Sequence, residues 1–386
     1  MAPHPPRLVR ALAALAVLSG LVALAPAAGA ACTGSNGRVL EETGSAGDPY
    51  HVGSASDLGA VGTGTCALTA SYRQTADIAM PAAVASGGVE SNLTPIATAT
   101  GAQFRGTYDG GGHRITGFVH ADGRGLSAGS DIGLFARVGD GAVIRRVHLR
   151  EARVVGSASI GTLVGLVEDG ATGDPVLIEE VSATGSAIAS DSDVGGLIGK
   201  IFATAPTTSM EITGGDVGVA VTARSAFGHA GGAIGRVYIE DRADLHIADV
   251  HATGDVVVDA LGAAGAGGLV GGVWMYGRTA PTSTTDVTIT DSSAAGDVSI
   301  AAGGRVGGLI GDVTTQAKTR ALRIQRSAAS GAISGVDQVG GLIGYVSRYE
   351  AGSADTADGI VEIVDAYATG AIVDTNDNDP AQAFGG

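Results

Sequence analysis

The hexapeptide VGGLIG stands at residues 194–199, 306–311 and 339–344 of a 386-residue chain. Looser copies surround it: IGLFARV (132–138), IGTLVGLV (160–167), AGGAIGRV (230–237) and AGGLVGGV (266–273). The final AFGG (383–386) begins another. The first glycines fall at 133, 161, 195, 231, 267, 307, 340 and 385, in steps that average 36 residues. A recurring period of this size marks a repeat architecture, in which each unit buries its apolar face only by stacking on its neighbours.

A second element precedes each glycine pair: VSATGSAI (181–188), VHATGDVV (250–257), SSAAGDVS (292–299) and RSAASGAI (326–333). Ahead of it sit VLIEEV (176–181), LHIADV (245–250), VTITDS (287–292), LRIQRS (322–327) and VEIVDA (361–366). Apolar residues at every second position indicate half-buried strands. One period therefore reads as strand, small-residue turn, short strand, loop, Gly-rich strand, loop. No helical stripe interrupts it. Propeller blades carry four strands and aromatic signatures, and both are missing here. The expected fold is all-β: a right-handed parallel β-helix, or β-solenoid, of about eight coils with an N-terminal cap. At the spacing of stacked strands, eight coils make a rod of roughly 40 Å.

Stacking assigns roles within the glycine motif. Leu197, Leu269, Leu309 and Leu342 are expected to form one inward ladder, with Ala233 as the small member. Lys200, Arg236, Gly272, Asp312 and Tyr345 share a register position that reads as solvent-facing. Strict alternation would expose Ile198, Ile234, Val270, Ile310 and Ile343. Either a bend at the glycines turns them inward, or something covers them, or they form an apolar stripe for a partner. Glycine there permits a sharp corner or a close backbone approach.

Composition bounds the rest. Glycine is 64 of 386 residues, against a usual ~7%, and lacks the strict period of collagen. Aromatic residues are 4% of the chain. A core must therefore come from Ala, Val, Ile and Leu. The net charge is −16, with Lys200 and Lys318 as the only lysines, so a basic stripe for nucleic acid is missing. Residues 1–31 read as a secretory signal peptide: Arg7 and Arg10, an apolar run over 11–25, then Ala28-Gly29-Ala30 before a cleavage point. No later stretch is long and apolar enough for a transmembrane span. Cys32 and Cys66 are the only thiols. One reading pairs them as a disulfide, closing a loop of about 33 residues and adding roughly 3–4 kcal/mol on the chain-entropy model. The other is lipidation of Cys32, for which Gly29 is a poor match to the residue a lipobox needs. Residues 32–100 are then the cap, and 101–386 the repeats. AFGG ends the sequence two glycines into a new copy, which raises the expectation of a C-terminal truncation.

This pattern resembles the GLUG-motif proteins, bacterial secreted and surface proteins named for Gly-Leu-x-Gly repeats. DPYHVGSASDLGAVG (48–62), YRQTADIAM (72–80) and FRGTYDGGGHRITGF (104–118) resemble the leading segment of that family, and the last is the most specific part. The resemblance spans about residues 46–386; AGGAIG and IGTLVG are degenerate copies. It implies an extracellular β-solenoid of the kind found in adhesin-like proteins and beside IgA-protease-like zinc peptidases. It brings no catalytic motif of its own.

Motifs for chemistry are sparse. The eight histidines are His4, His51, His113, His120, His148, His229, His246 and His251, none within H-E-x-x-H; they read as surface residues. His246 and His251 are expected on opposite strand faces. No G-x-S-x-G elbow or P-loop lysine occurs, and Gly110-Gly111-Gly112 reads as a tight turn. Asp255 and Asp297 follow equivalent turn glycines and are expected to stack one coil apart. Such a carboxylate pair, or Asp191 with Asp193, is what a carbohydrate-active β-helix enzyme would need. Asp374, Asn376 and Asn378 in DTNDND resemble the start of a calcium loop, without its turn glycine or bidentate glutamate. No other cofactor is indicated.

The sequence thus points to a secreted or cell-surface, non-catalytic, monomeric β-solenoid acting in adhesion, in binding of a surface glycan or protein ligand, or in surface structure. A β-helix polysaccharide lyase or glycoside hydrolase is the enzyme alternative. A non-catalytic segment of a larger surface protein is the third.

Overall fold

A computed structural model describes residues 31–124, 131–168, 173–189, 191–204, 209–224, 228–240, 243–261, 265–276, 286–315, 321–348 and 360–375. The segment read as a signal peptide, the eighth glycine copy at 383–386, and Asn376 and Asn378 lie outside them. Asp374 closes the strand Ile372–Asp374.

The chain is a parallel β-solenoid, almost all strand. Its widest sheet shows the stacking directly. Tyr50, Tyr72, Tyr108, Ile144, Ile178, Ile212, Ile247, Ile289, Ile324 and Ile363 pair in register down successive coils. The ladder begins at Tyr50, inside the stretch assigned to the cap, so coils start earlier than the repeats in sequence suggest. The early coils are hard to see because large side chains replace the repeat's small ones. Tyr72, Tyr108, Phe104, Phe118 and Phe135 are fully buried there, with Phe104 and Phe135 4.9 Å apart between ring centres. Ahead of Tyr50 lies the hairpin of Cys32–Thr33 with Val39–Leu40, tied by the Cys32–Cys66 disulfide to the segment after the first rung, where a short helix, Ala55–Leu58, has its N-terminus capped by Ser54.

From the Ile144 rung onward, each coil of this sheet turns at one residue in the left-handed region: Arg146, Glu180, Gly214, Asp249, Asp291, Arg326 and Asp365, with φ between 48° and 67°. Such a residue resets the alternation, so that Ile178 and Val181, three apart, are both buried. This corrects the reading of His246 and His251. Asp249 lies between them, and both are half-buried on the outer side.

The glycine motif forms two further sheets. A five-stranded one carries Val194–Gly195, His229–Gly231, Gly265–Gly267, Arg305–Gly307 and Gln338–Gly340. A seven-stranded one carries Phe135–Val138, Val164–Glu168, Ile198–Ala203, Ile234–Glu240, Val270–Tyr276, Ile310–Thr315 and Ile343–Arg348. Within a coil the chain bends at Gly196-Leu197 from one sheet into the other. Leu197, Leu269 and Leu309 occupy this bend with Ala233 between them, joined by amide-to-carbonyl bonds of 2.9–3.0 Å, and Leu342 continues the column half-buried. The bend also turns Ile198, Ile234, Val270 and Ile310 inward to full burial, so they form no exposed stripe.

The glycines serve close approach rather than unusual dihedrals, since no residue of these six-residue arches, 194–199 and its copies, has positive φ. A Cβ at Gly267 would lie 2.0 Å from Val270 O and 2.6 Å from Gly311 N. One at Gly199 would lie 2.3 Å from Ile160 N. The two sheets thus meet backbone to backbone, with no room for a methyl group. At the far end, Ile360, Ile363, Val364, Tyr367 and Val373 are exposed; no described residue covers that last coil.

Gly267→Ala is therefore expected to lower the urea midpoint, by circular dichroism, by an amount equal to about 1–3 kcal/mol or more. Gly47→Ala, whose Cβ would meet nothing within 4 Å, should leave it unchanged. Equal midpoints for the two variants would sink the close-approach account.

Candidate functional site

The residue two positions before each motif's first glycine and the residue directly after its last glycine meet at the arch's mouth. Down the coils the first column reads Asp131, Ser159, Asp193, His229, Gly265, Arg305, Gln338. The second includes Lys200, Arg236, Gly272, Asp312 and Tyr345. Charges in the two columns complement one another. Arg137 Nε donates to Asp131 at 2.8 Å. An Arg236 guanidinium nitrogen lies 2.9 Å from Asp193 Oδ2, and one of Arg305 lies 3.3 Å from Asp312 Oδ2.

His229 joins the two halves. Its Nδ1 is 3.2 Å from Asp193 Oδ1 in the coil below. Its Nε2 is 3.0 Å from Asp312 Oδ1, two coils above, at an angle short of a hydrogen bond. The coil between contributes Gly265 and Gly272 at the same positions. A Cβ on Gly272 would fall 2.3 Å from the His229 ring and 2.7 Å from Asp312 Oδ1; one on Gly265 would fall 2.6 Å from that oxygen. Two glycines in one coil open the slot through which an imidazole and a carboxylate meet. Trp274 Nε1 also donates to Asp312 Oδ2, at 3.0 Å.

The expected solvent-facing position is thus corrected: Asp312 is 0% exposed and Gly272 is buried. His229, expected at the surface, is 3% exposed. Burial alone would push its imidazole down, but the hydrogen bond and charge of Asp193, with Asp312, hold it above the ordinary value of 6.5. Burial would likewise raise both aspartates. His229 and Arg236 hold Asp193 below its ordinary range, and His229, Trp274 and Arg305 do the same for Asp312. These carboxylates are closed to a substrate and saturated by cations. Asp191 sits half-buried in the turn before Asp193.

Outside this network runs an aromatic ridge on the seven-stranded sheet. Phe202, Tyr238 and Trp274 pair in register, two residues beyond the charged column, and Tyr276 extends it. All four are half-buried. Ring centres lie 5.1 Å apart for Phe202–Tyr238, 5.2 Å for Tyr238–Tyr276 and 6.2 Å for Trp274–Tyr276. Lys200 Nζ caps the stack 4.8 Å from the Phe202 ring centre, and the Arg236 guanidinium lies 5.0 Å from that of Trp274. Burial, then Arg236, pushes the Lys200 ammonium below its ordinary value. Phe202 and Tyr238 stack, Tyr276 tilts against Tyr238, and Trp274 meets Tyr276 edge to face. The face is a firm, partly apolar ridge bordered by cations.

The other candidates separate. Asp255 and Asp297 do lie in adjacent coils, both exposed. Asp255 Oδ1 accepts Asp297 N at 3.0 Å, and Asp297 Oδ1 accepts Ala332 N at 2.8 Å; each carboxylate pins the next coil's turn. Among the described residues no group of three or more His, Cys, Asp or Glu is arranged to hold a metal ion, and no helix is long and apolar enough to cross a membrane.

The architecture defines a class, the parallel β-solenoids whose coils close through glycine arches. No family model matches the chain. Over 357 residues it is 31% identical to halomucin of Haloquadratum walsbyi, a match covering 77% of this chain. The chain spans about 4% of that protein's length. Among solved structures, a candidate immunoglobulin A1 protease from Bacteroides ovatus is similar at 18% identity, covering 84% of this chain and 86% of that one, with a TM-score of 0.47.

Replacing His229 by leucine leaves two buried aspartates facing each other and is expected to cost about 3–5 kcal/mol. The pH profile separates charge from packing. A raised imidazole pKa adds stability that is complete below about 6.5 and drains as pH rises through the folded-state value. The depressed aspartates add stability above their ordinary 3.8 that drains as pH falls through their folded values. From pH 6.5 upward, wild type should lose stability while His229→Leu stays flat in denaturant titrations. Parallel slopes would contradict the ion clamp.

Proposed function

We propose that the protein is an extracellular, surface-associated β-solenoid of the GLUG type that binds a partner, without catalysis, through the outer face of its seven-stranded sheet. The observation that carries this reading is the ridge of Phe202, Tyr238, Trp274 and Tyr276 with Lys200 and Arg236 beside it. In a chain with 4% aromatic residues, five of the six described aromatic residues outside the N-terminal core, these four and Tyr345, lie on the seven-stranded sheet, and Tyr367 lies on the widest one. Aromatic and arginine side chains on a rigid support lose little conformational entropy on binding and commonly anchor interfaces. The ion-paired network behind them fixes Trp274 in place.

Other observations support the location. The N-terminal 31 residues carry the pattern of an export signal, and the Cys32–Cys66 disulfide suits an oxidising compartment. The glycine arches and FRGTYDGGGHRITGF support the kinship with GLUG-motif proteins. The likeness to a stretch of halomucin, by its name a mucin, supports a role at a cell surface.

Binding of the mature protein to arrays of surface glycans and matrix proteins, run beside a polysaccharide-degradation assay, tests this. A ligand should be found whose affinity falls at least tenfold in Tyr238→Ala and Trp274→Ala, while Val257→Ala, exposed on another sheet, has no effect. Polysaccharide turnover, or a ligand indifferent to both ridge substitutions, would overturn the reading.

A further inference from the structure

A second concavity lies on the widest sheet, at the left-handed corner. Its volume is about 440 Å³. Its origin is in the sequence of one coil. At the corner, neighbouring coils carry Glu180-Val181 and Asp249-Val250, but the coil between carries Gly214-Gly215. The missing side chains leave a notch.

The column crossing the notch reads Arg114, His148, Ser182, Asp216, His251, in register. Its two ends have opposite charge. Arg114 and Arg150 line the lower wing, with Asp77 beside Arg114 outside the lining. Asp216, with Glu180 and Asp249 at the corner, lines the upper wing. Between them His148 Nδ1 is held 2.9 Å from Ser182 Oγ, and His251 is fixed by Ser293 at 2.9 Å and Asp249 at 3.1 Å. Burial, then Arg150 and Arg114, lowers the His148 pKa below its ordinary value, and the residue lines the cavity beside Ser182.

A cavity with separated charges is best filled by a ligand with separated charges. A carboxylate suits the two guanidiniums, which bind it through paired N–H donors. An ammonium suits the carboxylate wing, about two coils or ~10 Å away at the strand spacing. The middle offers Ser182 and His148 for hydroxyl groups, and Val181 is the one large apolar side chain in the lining. That composition suits a polyhydroxylated ring better than peptide side chains. We infer that this notch binds a zwitterionic glycan, one whose sugars carry both a carboxylate and a free amine. The site stands apart from the aromatic ridge and does not depend on it.

The test uses the mature protein and three tetrasaccharides of alternating or uniform units. De-N-acetylated heparosan carries both charges, heparosan only the carboxylate, and chitosan only the amine. Titration calorimetry should show the first binding at least tenfold more tightly than either other. Arg150→Gln should remove its advantage over chitosan, and Asp216→Asn its advantage over heparosan, with unchanged circular dichroism. Tetraglycine, a zwitterion without hydroxyls, should bind at least tenfold more weakly. Absence of binding to all probes, equal binding to all three saccharides, or tetraglycine binding as well as the best of them would overturn the assignment. So would retention of both advantages in the two variants.

Discussion

The contact on which this structure depends is backbone against backbone. In each coil, two short strands of the glycine motif fold onto each other so closely that a methyl group would overlap a carbonyl oxygen. Elsewhere the facing walls of a coil are held apart by side chains of ordinary size. Here the separation is set by the peptide planes, and the amide-to-carbonyl rungs between coils fix it along the axis. Glycine carries an entropic cost in a strand, and the repeat accepts it coil after coil because no other residue fits.

That arch creates the polar interior at its mouth. Residues flanking the glycines are forced together between two sheets, where water does not reach. Charges there must be matched within the stack or not occur at all. The matching is distributed: Asp193 answers Arg236, Asp312 answers Arg305, and His229 spans the coil that has glycine at both positions. The same stacking orders the aromatic ridge outside, and Trp274 links the two by its bond to Asp312. The notch on the far sheet follows the same logic in reverse. A coil that lacks side chains where its neighbours have them leaves a cavity, and the column beside it supplies the chemistry.

Much of the fold was legible before any coordinates. The period of about 36, the alternation in VLIEEV and LHIADV, and the repeated small-residue turn describe stacked coils, and the leucine column falls out of the same register. The early coils were less legible, since Tyr72 and Tyr108 replace the Ile of the later rungs. The corner was legible only in hindsight. A buried residue three rather than two positions after the last, as from Ile247 to Val250, is the trace of an inserted left-handed residue, and missing it put His246 and His251 on opposite faces.

The sequence by itself determined the stacking: a recurring period and like residues at like positions point to coils in register, because a one-residue slip would turn every apolar side chain outward. It also determined which residues meet their counterparts in the next coil, including Asp255 with Asp297. The tertiary structure decided what lies across from what within a coil. Burial of Asp312 and His229, which polar character alone would place outside, depends on two sheets closing face to face. The ridge and the notch likewise depend on how columns from different strands come together. A one-dimensional repeat records its own period. It does not record the distance between the two walls of its arch.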